Sequence, residues 1–277
     1  MKVLAGAPES MRLLIEETEP SYANALHRVL VSDVPKMAIE DVEFHLGPIR
    51  AEDGKEYESV SPLFDEMIAH RLGLVPIPTD LGLYYRREDC PTCHGEGCPN
   101  CTIIYSVNKR GPGLVTSGDL EPIGDAKLRP ADQKIPIVKL GDGQAMLVYA
   151  TAVLGNGKDH AKWQATHGVG YRYCPILKAG SKSLDALDPA VPFCESHMES
   201  TATEEEETLE LSSDCKTCKK FIDLYKVESV KAGNDPTRIV MEFETDGSLS
   251  AKAVLVASLD ILAKRFSELA SQATALA

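Results

Sequence analysis

Pro20-Ser21-Tyr22-Ala23-Asn24-Ala25-Leu26-His27-Arg28-Val29-Leu30-Val31-Ser32-Asp33-Val34, closed by Pro35, is the stretch on which the architecture turns. Pro20 stands where a helix begins, because the first turn has no use for its missing N–H. From there Tyr22, Ala25, Leu26, Val29 and Leu30 fall at i, i+3, i+4, i+7 and i+8, which places them on one apolar face. The other side carries Asn24, His27, Arg28 and Ser32, with Asn24 and Arg28 one turn apart and pointing the same way. Such a helix has a face to bury and a polar face available for recognition.

Working outward, Met11 to Glu17 reads as a strand, and Met37 to Gly47 alternates like a second one. The charged stretch Arg50 to Glu58 reads as a surface loop. Ser61 to Leu74 is expected to be a second helix, containing Leu63, Met67, Ile68 and Leu72 and ending at Gly73-Leu74-Val75-Pro76. Short strands follow between Gly- and Pro-rich turns, Ala145 to Leu154 among them. Near the far end, Arg238 to Glu244 alternates Ile239, Met241 and Phe243 against polar neighbours, as a half-buried strand does. Asp246-Gly247-Ser248 turns the chain into a last helix, where Leu255, Leu259, Leu262, Phe266 and Leu269 make a heptad-like seam. Periodicity alone leaves that seam two uses, packing inside its own domain or against a partner chain. Glu199 to Asp214, with its run Glu204 to Glu207 and Glu210, reads as a solvated loop.

With 277 residues, 43% of them hydrophobic and 26% charged, the chain can bury a sizeable core in two or three structural units. No run approaches the roughly 18 to 20 apolar residues needed to cross a bilayer; the longest, Ala145 to Leu154, is interrupted by Tyr149 and Thr151. Met1 to Glu9 carries one lysine and no apolar stretch long enough for a signal peptide, so the expected place is the cytoplasm, with no membrane role. A formal net charge of -13 repels a phosphate backbone, which argues against a free-standing DNA-binding module and for no direct nucleic-acid contact.

Eight cysteines in a chain without an export signal are read as metal ligands or buried thiols, not as a disulfide framework. Cys90, Cys93, Cys98 and Cys101 form a C-x2-C-x4-C-x2-C pattern, and Gly95-Glu96-Gly97 between the pairs lets the chain reverse over a short loop. Each C-x2-C pair can present two thiolates to one tetrahedral ion, which predicts a closed four-sulfur site. Zinc is the natural occupant, although spacing alone also admits iron and sulfur. Four unliganded thiols this dense would be an oxidation hazard. His94 reads as a solvent-exposed neighbour. The second group, Cys174, Cys194, Cys215 and Cys218, has only Cys215 to Cys218 as a compact pair. Cys174-Pro175 is similar to the Cys-Pro that supplies a remote ligand in ferredoxins, but the compact C-x2-C-x2-C run is missing, leaving a second metal site or buried or disulfide-prone thiols.

Catalytic motifs fail on inspection. Gly155-Asn156-Gly157-Lys158-Asp159 resembles a phosphate loop, but Ala152 stands where the first glycine is needed and Asp159 where Ser or Thr is needed. There is no H-E-x-x-H, no G-x-S-x-G and no tight aspartate cluster to hold magnesium. Asp65, Glu66 and His70 are read as an exposed charged helix face, not an acid-base set.

Three separated segments, Tyr22 to Leu30, Met67 to Pro76 and Gly155 to Trp163, closely resemble the archaeal D-type, alpha-like family of RNA polymerase subunits, which includes the third-largest eukaryotic subunit and, more distantly, the bacterial alpha subunit. The resemblance covers nearly the whole chain in the right order. It implies an α+β fold: a discontinuous alpha-subunit-like dimerisation domain (1–46 and 224–277), an inserted mainly-β domain with the four-cysteine loop (47–165), and a small ferredoxin-like domain (166–223) that some relatives use for an iron-sulfur cluster. It further implies a non-catalytic assembly subunit of DNA-dependent RNA polymerase, the nucleotidyltransferase chemistry belonging to the complex. By the same resemblance, Tyr22, Asn24, Arg28, His70, Arg71, His160, Lys162 and Trp163 meet the second-largest catalytic subunit or the small zinc subunit N. Leu255, Leu259, Leu262, Phe266 and Leu269 meet subunit L in a heterodimer. Two other functions compete. A ferredoxin-like electron carrier requires a redox-active cluster in this chain alone. A zinc co-chaperone is suggested because Cys90 to Gly97 resembles one repeat of the DnaJ cysteine-rich domain, but the four repeats and the His-Pro-Asp of a J domain are absent.

Overall fold

Alternation of apolar and polar residues becomes two separate sheet systems in the computed structural model, which describes residues 1–50, 54–179, 199–202, 207–210, 220 and 230–275. The chain divides into two compact units, one made of Met1–Gly6, Met11–His27 and Gly170–Glu242, the other of Ala7–Ser10, Arg28–Val169 and Phe243–Ala277.

The first unit is built on a sheet whose described strands are β1 (Lys2–Gly6), β2 (Ser10–Ile15), β11 (Thr166–Ala179), β12 (Glu199–Ala202), β13 (Glu207–Glu210) and β14 (Val230–Thr245), in the order β1-β2-β14-β11-β13-β12. Leu13, Leu14 and Ile15 of β2 and Ile239, Val240 and Met241 of β14 are buried. Across three adjacent strands, Glu242 of β14 accepts from Arg12 of β2 at 2.9 Å and from Arg172 of β11 at 3.0 Å. The hydrogen bond from Arg12 holds the Glu242 carboxyl below the usual range, and Arg172 adds to it against the opposing effect of burial. These cross-strand pairs fasten neighbouring strands together.

Within Glu199 to Asp214, expected as a solvated loop, Glu199–Ala202 and Glu207–Glu210 are strands, while residues 203–206 and 211–214 lie outside the described residues. β12 and β13 pair antiparallel, Glu199 opposite Glu210 and Ala202 opposite Glu207, and β13 pairs onward with β11, Leu177 opposite Leu209. Ser200, Thr201, Thr208 and Leu209 are residues that strands accept, and β11 offers ladder partners for the backbone of β13.

In the second unit, β3 (Pro35–Phe44), β10 (Ala145–Asn156), β6 (Thr102–Arg110) and β8 (Glu121–Pro122) form a sheet in the order β3-β10-β6-β8, with β7 (Gly113–Thr116) and β9 (Pro136–Leu140) as a second ribbon. Period-two patterning shows directly: Met146, Val148, Ala150 and Ala152 of β10 and Ile103, Tyr105 and Val107 of β6 all point into one core. Tyr105 is fully enclosed there, and its hydroxyl donates to the Leu128 carbonyl at 2.6 Å. Over this core lies α2 (Asp65–Gly73), which buries Ile68 and Leu72 one turn apart. It starts at Asp65, later than the periodicity suggested, because Ser61 closes a local turn by accepting from the Leu63 N–H at 3.3 Å. Arg50 to Glu58, expected as a loop, holds a small hairpin of β4 (Pro48–Arg50) and β5 (Glu56–Glu58), joined by an Arg50–Glu56 ion pair at 2.7 Å.

A short 3-10 turn, Ser117–Asp119, is closed by a capping box between Thr116 and Asp119. Burial works against the Asp119 carboxylate, but hydrogen bonds from Lys109 at 2.6 Å and the Thr116 N–H at 2.7 Å outweigh it and hold the group below the ordinary range. A depressed folded value contributes stability that is present above the unfolded value of about 3.9 and is lost as pH falls through the folded one. Asp119→Asn is therefore expected to flatten the acid limb of thermal stability below about pH 4, with melting measured across pH as the check.

Two helices frame the ends. α1 (Pro20–Ser32) buries Ala23, Leu26, Val29 and Leu30, leaves Tyr22 and Ala25 half-buried, and exposes Asn24 and Arg28. The helix ends at Ser32 ahead of Pro35, which has no N–H to continue the ladder, and the Ser32 carbonyl left free is taken by the Lys158 N–H at 2.9 Å. α3 (Ala251–Ala275) starts where the Ser250 hydroxyl caps the Ala253 N–H at 3.2 Å, and buries Ala251, Val254, Ser258 and Leu262. No described helix is long and apolar enough to cross a membrane.

Candidate metal centre and assembly faces

The four predicted cysteines converge. Their Sγ atoms all lie within 4.8 Å of one another, with Cys90–Cys98 at 3.6 Å, Cys93–Cys101 at 3.5 Å and Cys98–Cys101 at 3.8 Å. One ion bonded to four tetrahedral sulfurs at about 2.3 Å sets them roughly 3.8 Å apart. The donor set therefore fits a single metal ion with no ligand position left for substrate. Local backbone chemistry explains the shape. His94, Gly95 and Gly97 take positive φ (50°, 102° and 101°), which glycine adopts without strain and which folds the two pairs face to face. The Gly97 N–H then donates to Cys93 Sγ at 3.3 Å and the Cys98 N–H to Cys101 Sγ at 3.2 Å.

Charge is prepared unevenly. Burial works against a thiolate at Cys93, but N–H groups of Gly97 and Gly95 and the adjacent Cys101 and Cys90 thiols outweigh it and draw it down to about 6. Cys90 is lowered by backbone N–H groups, that of Cys93 first. Burial pushes Cys101 up to about 12, so a cation is what turns that inner sulfur into a thiolate. Of the second group, Cys174 lies on β11, while Cys194, Cys215 and Cys218 fall outside the described residues.

The Gly155-Asn156-Gly157 motif has a packing role. Trp163, in a 3-10 turn at Ala161–Trp163, is buried against β10 and donates its Nε1–H to the Val153 carbonyl at 3.1 Å. A Cβ on Gly155 would meet the Trp163 ring at 2.4 Å, and one on Gly157 the Val31 carbonyl at 2.7 Å. Trp163, assigned to a partner face by resemblance, is thus turned inward and supports its neighbours. Lys162 lies over the Trp163 ring at 4.4 Å and pairs with Glu40, and His160 Nδ1 accepts from the Lys162 N–H at 3.1 Å. Gly155→Ala is expected to cost about 1–3 kcal/mol by overpacking, read as a lower thermal midpoint.

His70 and Arg71 are exposed at the end of α2, where Arg71 reaches the Ile137 carbonyl at 2.6 Å. Of the heptad-like seam, Leu255 and Leu259 are half-buried and Leu262 is buried, whereas Phe266 and Leu269 are 57% and 62% exposed. The seam is buried within its own chain at one end and open at the other. Sequence reasoning missed Arg86 and Arg87 beside the cysteine loop, with Arg86 3.8 Å from Asp159; the adjacent pair of arginines was the only signal. It also missed the apolar stripe Phe64, Met67 and Leu74, exposed along α2 and its flanks.

Residues 49–171 match the family described as the RNA polymerase Rpb3/RpoA insert domain. The chain is 43% identical to the DNA-directed RNA polymerase subunit Rpo3 of Thermoplasma volcanium, covering 96% of each chain, and 44% identical to that of Picrophilus torridus, covering 94% of each. It is 31% identical to the same subunit of Methanosarcina acetivorans, over 96% of this chain and 95% of that one. With its cysteine loop inside the insert-domain match and more than nine-tenths of its length matched at 43–44% identity, the chain belongs to the DNA-directed RNA polymerase subunit Rpo3 family.

Proposed function

We propose that this chain is a non-catalytic assembly subunit of an archaeal-type DNA-dependent RNA polymerase, acting in the cytoplasm as one half of a heterodimeric platform. The observation that carries this reading is the near full-length likeness to Rpo3 subunits. The open end of α3, with Phe266 and Leu269 exposed, supports it. A helix that extends a dozen exposed residues past its own core is an unfinished packing surface. The partner in this reading is the small subunit L, which covers the seam Leu255, Leu259, Leu262, Phe266 and Leu269. Asn24 and Arg28 on α1, His70 and Arg71 on α2, and the His160–Lys162 turn meet the second-largest catalytic subunit and the small zinc subunit N. Arginine suits that work because its fork holds a carboxylate or carbonyl with two hydrogen bonds.

The dimerisation domain comprises 1–46 and 224–277, the insert 47–165, and a ferredoxin-like module 166–223, most of which lies outside the described residues. Zinc occupies the four-cysteine site in this reading. The close spacing of the sulfurs supports a single ion over a multi-iron cluster, which holds its thiolates further apart to accommodate several metal atoms. When bound, the ion supplies a structural cross-link. Reconstitution tests the function: a polymerase assembled from separate subunits makes RNA only when this chain is included, and the chain alone transfers no nucleotide. An enzyme that assembles and transcribes at full rate without it contradicts the proposal.

A further inference from the structure

The geometry points to Arg87 as the positioning residue that holds the four-cysteine loop in its metal-binding shape, an inference that rests on the reading of those sulfurs as a metal centre. Arg87 precedes the loop by three residues. Its Nε donates to the Gly95 carbonyl at 2.9 Å and its Nη2 to the Glu96 carbonyl at 3.3 Å. Its Nη1 lies 3.7 Å from the Asp41 carboxylate on β3. One guanidinium therefore ties the turn between the two cysteine pairs to a strand of the neighbouring sheet.

The turn is the part of the site that needs such a clamp, because its backbone runs through positive φ at His94, Gly95 and Gly97. Two glycines leave that turn with many unfolded alternatives to give up. The Glu96 carbonyl and the Gly97 N–H belong to one peptide group. Arg87 holds its oxygen end, and its nitrogen end donates to Cys93 Sγ at 3.3 Å. A cationic donor on the carbonyl polarises the same amide and strengthens its N–H as a donor to sulfur. The guanidinium also offsets charge, since a divalent ion with four thiolates carries two net negative charges. Lysine cannot do this work: it retains the charge but lacks the planar fork that reaches two carbonyls at once.

The test is zinc release from the full-length chain to a competing chelator. Loss of an outer partner costs metal affinity about 10–100-fold. With the Arg87 side chain 43% exposed, Arg87→Ala is expected to fall at the low end, about tenfold faster in release. Arg87→Lys should behave like alanine. In the cobalt-substituted protein, the sulfur-to-metal charge-transfer band should shift in both variants, a change that a merely structural contact on the surface would not produce. Thermal melting of the metal-stripped chain checks folding; if Arg87→Ala folds poorly, the lysine variant carries the comparison. Wild-type release and an unshifted cobalt band in Arg87→Lys overturn the proposal. A wild-type chain that takes up no metal overturns the underlying centre instead, and that failure is visible before any variant is compared.

Discussion

Cys101→Ser is expected to empty the four-cysteine site and to lower the stability of the insert by at least about 4 kcal/mol, the stabilisation that a ligand gives at a thousand times its Kd. Cys101, buried like Cys90, stands immediately before β6, so it joins the loop to the central sheet. Its N–H is bound to the Cys98 carbonyl at 2.9 Å, and its sulfur lies 3.5 Å from that of Cys93. A serine hydroxyl fits the space but keeps its proton, leaving three thiolates and a poor fourth ligand. The affinity loss should exceed the roughly 100-fold cost of removing an outer partner. Metal content by mass spectrometry and calorimetric melting with and without chelator are the measurements. Stoichiometric zinc retained in Cys101→Ser would remove this centre from the account.

Phe266→Asp is expected to weaken pairing with the small partner subunit by at least about 2 kcal/mol, roughly thirtyfold in Kd. The substitution is informative because of where the side chain sits. Phe266 is 57% exposed beyond the last buried residue of α3, so an aspartate there leaves the chain's own core intact. Leu262→Asp also blocks pairing, but for a less specific reason: Leu262 is buried, and a carboxylate there destabilises the chain itself. Equal melting temperatures for wild type and Phe266→Asp, together with a lost complex, would separate interface from fold. Titration calorimetry with the partner reads the difference.

How much of this was visible in the residues depended on whether the signal was local. The helices announced themselves through periodicity, and α1 kept Asn24 and Arg28 exposed one turn apart because helical geometry leaves little choice. The four-cysteine loop was equally legible, since short C-x2-C spacing and intervening glycines constrain the backbone on their own. Tertiary features were not. Gly155 and Gly157 could be excluded as a phosphate loop, but their use as clearance for Trp163 and Val31 depends on segments brought together only in the fold. Arg87 gave no signal beyond its adjacency to Arg86, because two of its partners are backbone carbonyls, which any sequence supplies, and the third, Asp41, lies on a strand far away in sequence. β1 escaped notice because all five of its residues are exposed and show no alternation. Charge misled at Glu199–Ala202 and Glu207–Glu210, which pair with each other as β12 and β13, with β13 pairing onward with β11.

The seam on α3 shows the same division from the other side. Its spacing was legible, but only burial showed that Leu262 belongs to the chain's own core while Phe266 and Leu269 remain open. Mixing the purified full-length chain with a cognate subunit L at micromolar concentration, and weighing the product by light scattering, tests the central claim most directly. The account predicts a one-to-one heterodimer that Phe266→Asp prevents from forming. A chain that stays monodisperse alone and ignores the small subunit would contradict it.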